Sequence, residues 1–258
     1  MEAARRSIAA RLAGNVPGAI RDGTIGAIKF AARAMILLVV VFGGAIAVFA
    51  KVDPPGSMLM LQQSIVGMEP IDRRWVPIEA VSPHLVHAIV ASEDAGFCGH
   101  RGVDFAELQQ ALEAAEERGE DVRGASTITM QVVKNLMLWP SKSYVRKGIE
   151  IPVALAMDRA WSKRRVMEVY VNIVEWGPGI FGAEAASRRY FKKPAAKLTP
   201  SEAALLAVAL PAPKARNAGR PHPQMQRMAR VIEDRVRRSP RLIRCMGLVS
   251  PIDIKAKS

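Results

Sequence analysis

The sequence predicts a mostly α-helical protein, with one membrane-crossing helix near its N-terminus and one sizeable domain behind it. Three observations carry this. Ala34 to Ala50 runs without a charge. Beyond residue 80, apolar residues recur at intervals of three and four, behind Ser, Thr and Pro in helix-start positions. Alternating apolar and polar runs of the kind strands need are scarce. The chain has 258 residues, half of them hydrophobic, which is enough to bury a core.

Lys and Arg outnumber Asp and Glu by 37 to 24, for a net charge of +13. The expected partner is therefore polyanionic: nucleic acid, anionic lipid or a phosphate-bearing substrate. Aromatic residues make up only 5 %, a thin supply for base stacking, which argues against nucleic acid. Cys98 and Cys245 lie far apart and form no metal-ligand pattern. Two free thiols are expected, with a disulfide as the alternative.

Residues 1–33 carry Arg5, Arg6, Arg11, Arg21, Lys29 and Arg33 against Glu2 and Asp22, and read as a mobile basic tail. Residues 34–51 read as a transmembrane helix. Its charge-free run spans about 25 Å at ~1.5 Å per residue, the short end for a bilayer, and flanking residues can extend it. A cleaved signal peptide is the alternative, since Val48-Phe49-Ala50 resembles a cleavage site, but the preceding segment is too long for that design. The basic flank belongs on the cytoplasmic side, which puts the remaining chain outside. Residues 52–80 read as a linker leading into the domain, stiffened by Asp53-Pro54-Pro55-Gly56.

A helix follows, with Ser82 as N-cap and Pro83 at its first position. Leu85, Ile89 and Glu93 share one face of it, so Glu93 ends an apolar stripe where glycines break the helix. Shelter there should raise its pKa by desolvation, as a general base working near neutral pH requires. Taken alone, Glu93 and Asp94 read as solvated helix-end residues. Phe105 to Arg123 reads as a helix interrupted at Gly119.

Gly124 to Asn135 suggests a turn feeding another helix. With Ser126 as N-cap, Thr127, Gln131 and Lys134 share a face, and the helix N-terminus can hold an anion. Val145 to Trp161 is a third helix candidate, with Arg146 and Glu150 one turn apart; a surface pair of this kind contributes roughly 0.3–0.5 kcal/mol. Ser162 caps a fourth, with Val166, Tyr170 and Ile173 on its core face. Gly177, Gly179 and Gly182 form a loop before a helix from Ala183 to Phe191. Thr199-Pro200-Ser201-Glu202 is a capping box that opens an apolar helix to Leu210. From Pro213 to Arg244, ten basic residues face Glu233 and Asp234, and anionic headgroups are the simplest partner of that tail.

Together these stretches resemble the peptidoglycan glycosyltransferases that polymerise lipid II, the lipid-linked disaccharide-peptide. Glu93, Asp94, Phe97, His100, Gly102 and Asp104 match one family pattern. Gly124, Ser126, Thr127, Ile128, Gln131, Lys134 and Asn135 match a second, with Ala125 where many members carry glycine. Arg146, Lys147 and Glu150 match a third, Glu168 to Asn172 a fourth, and Gly177 to Phe191 a fifth. All five occur in family order. The closest resemblance is to the monofunctional biosynthetic members, because no Ser-x-x-Lys or Lys-Thr-Gly of a transpeptidase is present.

The resemblance implies a lysozyme-like, two-lobed helical glycosyltransferase domain at 81–245 and a C-terminal tail at 246–258. It implies that Glu93 deprotonates the acceptor 4-hydroxyl, which attacks the donor's anomeric carbon with inversion to a β-1,4 bond, releasing undecaprenyl diphosphate. A diphosphate leaving group needs cations more than a general acid. Lys134 and Arg146, with Lys147, are placed on it. Glu150 is implied as a second essential carboxylate that holds Arg146. Asp94, Phe97, Ser126, Thr127, Gln131 and Asn135 complete the implied substrate-binding set, while His100 and Asp104 brace the loop. No cofactor is implied as required, though some relatives bind a divalent metal near the pyrophosphate. Membrane lipids and proteins of cell-wall synthesis or division are the further partners it allows. The implied location is the bacterial inner membrane, single-pass, with the domain on the periplasmic side. A lytic muramidase would need an acid to protonate a glycosidic oxygen and no cationic pocket. A non-catalytic scaffold would not need Glu93.

Overall fold

The computed structural model describes residues 18–67, 70–119, 124–139 and 143–248. Helix α1, Gly18–Phe49, begins 16 residues before the charge-free run, so the latter half of the expected basic tail is helical. Residues 1–17 and 249–258, with the outer parts of both expected tails, lie outside the described residues. Ile25–Phe49 is long and apolar enough to cross a membrane and fits a single-pass anchor. The chain divides at Ala45 into the bulk of this helix and a second unit from Ile46 onward.

In the second unit, the chain leaving α1 is tied down at once. Trp161 Nε1 donates to the Ile46 carbonyl at 2.8 Å. Arg165 donates to the carbonyls of Phe49 and Val52 at 3.0 and 2.8 Å. Arg73 donates to Pro54 and Pro55 at 2.7 Å each. The described residues of 52–80, expected as linker and domain entry, lie in this unit. They form α2 (Met58–Ile65), strand β1 (Asp72–Arg73) and a short 3-10 turn.

Then come α3 (Pro83–Glu93), α4 (Phe105–Arg118), α5 (Ile128–Met137), α6 (Tyr144–Ala160) and α7 (Lys163–Ile173). Gly119 stops α4 in the left-handed conformation that glycine allows. The expected glycine loop holds a hairpin, β2 (Glu175–Gly177) and β3 (Ile180–Phe181). Strand β3 lies between β2, antiparallel, and β1, parallel. Such two- and three-residue strands are too short for alternation to register. Helix α8 (Ala183–Phe191) and α9 (Pro200–Ala209) follow, the latter opened by the expected capping box.

The expected basic tail is instead helix α10 (Pro223–Arg238). Met225, Ala229 and Ile232 bury one stripe of it, and it packs on α3 and α9. Leu85 and Ile89 of α3 are fully buried, as are Val166, Tyr170 and Ile173 of α7. Each such large side chain contributes about 1.5–3 kcal/mol relative to exposure.

Cys98 and Cys245 form a disulfide across 147 positions, not the two free thiols expected. It joins the loop after α3 to the turn Arg244–Met246 that follows α10. Pairing of two distant cysteines cannot be read from sequence, because only the packing of α3 against α10 brings them together. Reduction, or Cys245→Ser, is expected to cost about 2–5 kcal/mol of stability. Thermal melts with and without reductant check this, and identical melting temperatures would refute it.

Candidate active site

Glu93 is the last residue of α3, half-buried at the end of the stripe that begins at Leu85. Gln131 Nε2, from α5, donates to Glu93 Oε2 at 3.1 Å. The Tyr170 hydroxyl, from α7, donates to Gln131 Oε1 at 3.1 Å and so fixes which end of the amide faces the carboxylate. Burial pushes the Glu93 carboxyl above its ordinary value; the Gln131 hydrogen bond, Lys134 and Arg216 pull it back, and Asp94 adds to the rise. Burial wins, which leaves a carboxylate basic enough to take a proton.

Lys134 lies one turn beyond Gln131 on α5. Burial lowers its pKa, Glu150 raises it, Arg146 and Lys147 lower it, and Glu93 raises it. These four charged groups and Lys134 thus share one electrostatic environment. Glu150 is 1 % exposed. It accepts from Arg146, and from Lys147 Nζ at 2.9 Å. Arg146–Glu150 is therefore no surface pair. One buried carboxylate holds two cations, and Lys134 makes a third. Lys147 Nζ also donates to Ser126 Oγ at 3.0 Å, which joins the Ser126 turn to α6.

The remaining expected contacts resolve differently. Asp94 is 2 % exposed and accepts from His100 Nε2 at 2.9 Å and from the Ile128 backbone N–H at 2.9 Å. The N-cap of α5 is Thr127, not Ser126. Its hydroxyl accepts from the Met130 N–H and donates to the Gly102 carbonyl at 2.6 Å. The first turn of α5 is thus filled by the protein's own Asp94 and Thr127, not left open for a substrate anion. Gly102 has φ +83°, and a Cβ there would lie 2.5 Å from the Ala154 carbonyl oxygen. Only glycine lets this loop close on α6.

Phe97 is wholly buried beneath Lys163, whose Nζ lies 4.6 Å from the ring centroid. Asn135 is buried as well. Asp94, Phe97, Thr127 and Asn135 are thus all buried beside the site. His100 braces Asp94, and Asp104 caps α4 through the Glu107 N–H at 3.0 Å.

A family model described as Transglycosylase matches residues 61–237. The chain belongs to the transglycosylase family. It is 50 % identical over 192 residues to the biosynthetic peptidoglycan transglycosylase of Brucella suis, covering 74 % of this chain and 85 % of that protein. The protein of the same description from Rhodospirillum centenum is 52 % identical over 188 residues, 72 % of this chain and 80 % of that one. That from Rhizobium johnstonii is 46 % identical over 213 residues, 82 % and 86 % of the two chains.

Within this transglycosylase, two site residues escape sequence reasoning. Tyr170 reads as core because its ring is core; only its hydroxyl reaches Gln131. Arg216 reads as one basic residue among ten in a tail. In the fold it follows α9, donates to the Val208 carbonyl at 2.8 Å and acts electrostatically on Glu93. Arg216→Gln is expected to raise the Glu93 pKa further, since a favourable charge is lost. NMR titration of the Glu93 carboxyl checks this, and an unmoved midpoint would remove Arg216 from the site.

Among the described residues, no three His, Cys, Asp or Glu side chains cluster to hold a metal. Near the three cations the carboxylates are Glu93 and Glu150, and Glu150 is already engaged by Arg146 and Lys147.

Proposed function

We propose that this chain polymerises lipid II into β-1,4-linked glycan strands of peptidoglycan in cell-wall synthesis, with Glu93 as general base. Glu93 takes the proton of the acceptor's 4-hydroxyl. The freed oxygen forms a bond to the donor's anomeric carbon while the bond from that carbon to diphosphate breaks on the opposite face, giving inversion. Undecaprenyl diphosphate departs with the electron pair, and Lys134, Arg146 and Lys147 meet its charge. Glu150 is a positioning residue that holds two of those cations. Gln131 orients Glu93, and Tyr170 orients Gln131. In this reading the three cations serve the leaving group, and no cofactor is required.

The observation that carries the reading is that one helix joins the carboxylate to the cations: Gln131 of α5 donates to Glu93, Lys134 lies one turn further on α5, and Lys147, held by Glu150, donates to Ser126 just before that helix. A hydrolase cutting the finished polymer has no use for such cations. The disulfide supports a location outside the cytoplasm, because such bonds persist in oxidising compartments. With α1 as anchor, the periplasmic face of the inner membrane fits this, and both lipid-tailed substrates lie there. Membrane lipids are then constant neighbours, and proteins of cell-wall synthesis or division are candidate partners.

The full chain in lipid vesicles, given lipid II, is expected to yield glycan strands and leave isolated cell-wall polymer uncut. Cut polymer without strand growth would overturn the reading. Lys134→Ala is expected to lower kcat/KM by on the order of 100-fold. Unchanged kinetics would remove Lys134 from the leaving-group site.

A further inference from the structure

The last helix carries a charge pattern that the reaction does not use. Helix α10 seats Met225, Ala229 and Ile232 on the domain, so its opposite face points to solvent. That face carries Arg227, Arg230, Arg237 and Arg238, all exposed, and the turns after it add Arg241 and Arg244, exposed as well. Among the described residues, only Arg237 of these is in an ion pair, with Asp234. Like charges one turn apart on a helix, such as Arg227 and Arg230, repel. The fold therefore holds a surplus of positive charge that an anion would relieve.

At the end of α10 this charge meets a cavity. A cleft of about 380 Å³ is lined by Arg238, Pro240, Arg241 and Leu242, and by Ala95 and Cys98 of the loop after α3. Two guanidinium groups suit a phosphate, whose oxygens their planar N–H forks engage in pairs. Ala95, Pro240 and Leu242 offer apolar surface beside it.

The cleft also lies toward the place where the chain leaves α1. The Met246 carbonyl, in the turn just beyond the cleft, accepts from Arg164 at 3.1 Å. The next residue, Arg165, holds the Phe49 and Val52 carbonyls. Phe49 ends the apolar span. A bilayer crossed by α1 therefore presents its headgroups on this side of the unit.

We propose that Arg238 and Arg241 form a binding site for the headgroup of an anionic phospholipid, with its phosphate between the two guanidinium groups. The occupant is a lipid rather than a soluble phosphate ester, because the cleft sets apolar surface beside the cations and faces the chain's exit from the membrane. The site shares no residue with the cationic pocket of Lys134, Arg146 and Lys147. It rests on α1 as an anchor and not on the reaction, so its test needs no substrate.

The test is a thermal melt of the full chain in uncharged detergent micelles with short-chain phosphatidylglycerol added. Phosphatidylcholine of the same chain length, and glycerol phosphate without tails, are the controls. Phosphatidylglycerol at about 100 times its Kd is expected to raise the wild-type melting temperature by about 5–10 °C. Each control should raise it by less than half as much. Arg238→Gln with Arg241→Gln is expected to abolish the rise, yet to melt like wild type without lipid, because both side chains are exposed. Arg227→Gln with Arg230→Gln removes the same charge from the same helix and is expected to keep most of the rise.

No rise in wild type, or a full rise in the Arg238/Arg241 double variant, overturns the site. Equal loss in both double variants marks a diffuse basic face and overturns it too. A rise as large with phosphatidylcholine or with glycerol phosphate refutes the anionic lipid as occupant. Wild type that fails to float with phosphatidylcholine vesicles refutes α1 as an anchor, and the lipid assignment with it.

Discussion

Glu93→Gln is expected to lower polymerisation by on the order of 10²–10⁴-fold, the range of a lost general base. It is also expected to leave the fold at least as stable at neutral pH. The two expectations have one cause. Burial raises the folded-state pKa of Glu93 above its unfolded value. For a group shifted that way, the stabilising contribution is complete below the unfolded pKa and is lost as pH rises through the folded one. At neutral pH the native protein therefore carries a desolvated charge that the unfolded chain does not. Glutamine removes the charge and can still accept from Gln131 Nε2 through its own amide oxygen, so melting should hold or rise while activity collapses. Melting curves beside a lipid II assay check both parts. A variant that keeps wild-type activity would remove Glu93 from the chemistry, and one that melts much lower would make its role structural.

Glu150→Gln should damage both properties. The carboxylate is buried and faces Arg146 and Lys147 directly, and it is the largest influence raising the pKa of Lys134. Its loss takes the buried carboxylate away from Arg146 and Lys147 and removes the strongest charge favouring the protonated form of Lys134. Breaking a buried pair in this way costs about 3–5 kcal/mol. Because the Lys134 pKa would fall further, the cation should also lose its proton at lower pH. We therefore expect a lower melting temperature, activity reduced by on the order of 10³-fold, and an alkaline limb of the rate profile displaced to lower pH. Inorganic pyrophosphate should recover part of the lost melting temperature, since it supplies the missing negative charge to the same three side chains. A variant whose melting is unchanged, or unaffected by pyrophosphate, would show that Glu150 does not hold this pocket together.

How far the sequence reaches can be judged from these residues. Glu93 at the end of an apolar stripe, Gln131 and Lys134 a turn apart, and Arg146 with Glu150 all depend on local spacing. Spacing on a helix is what sequence displays best. Caps at Ser162 and Thr199 were legible for the same reason. What was not legible depends on contacts between distant segments. Asp94 is adjacent to Glu93, yet its role is to occupy the N-terminus of α5, thirty-four positions on. Phe97 sits inside a motif of functional residues, and only the packing of α7 against its loop shows that it is core. Arg216 and α10 were hidden in a run of positive charge whose apolar stripe, Met225, Ala229 and Ile232, is sparse.

The central claim is that a sheltered carboxylate must be ionised for the sugar linkage to form. The most direct test is the pH dependence of kcat/KM for the wild-type chain acting on lipid II in vesicles. The predicted result is an acid limb with its midpoint above the ordinary carboxylate value of 4.5, and an alkaline limb below the ordinary lysine value of 10.5. A rate that stays level as pH falls through that acid range would contradict it.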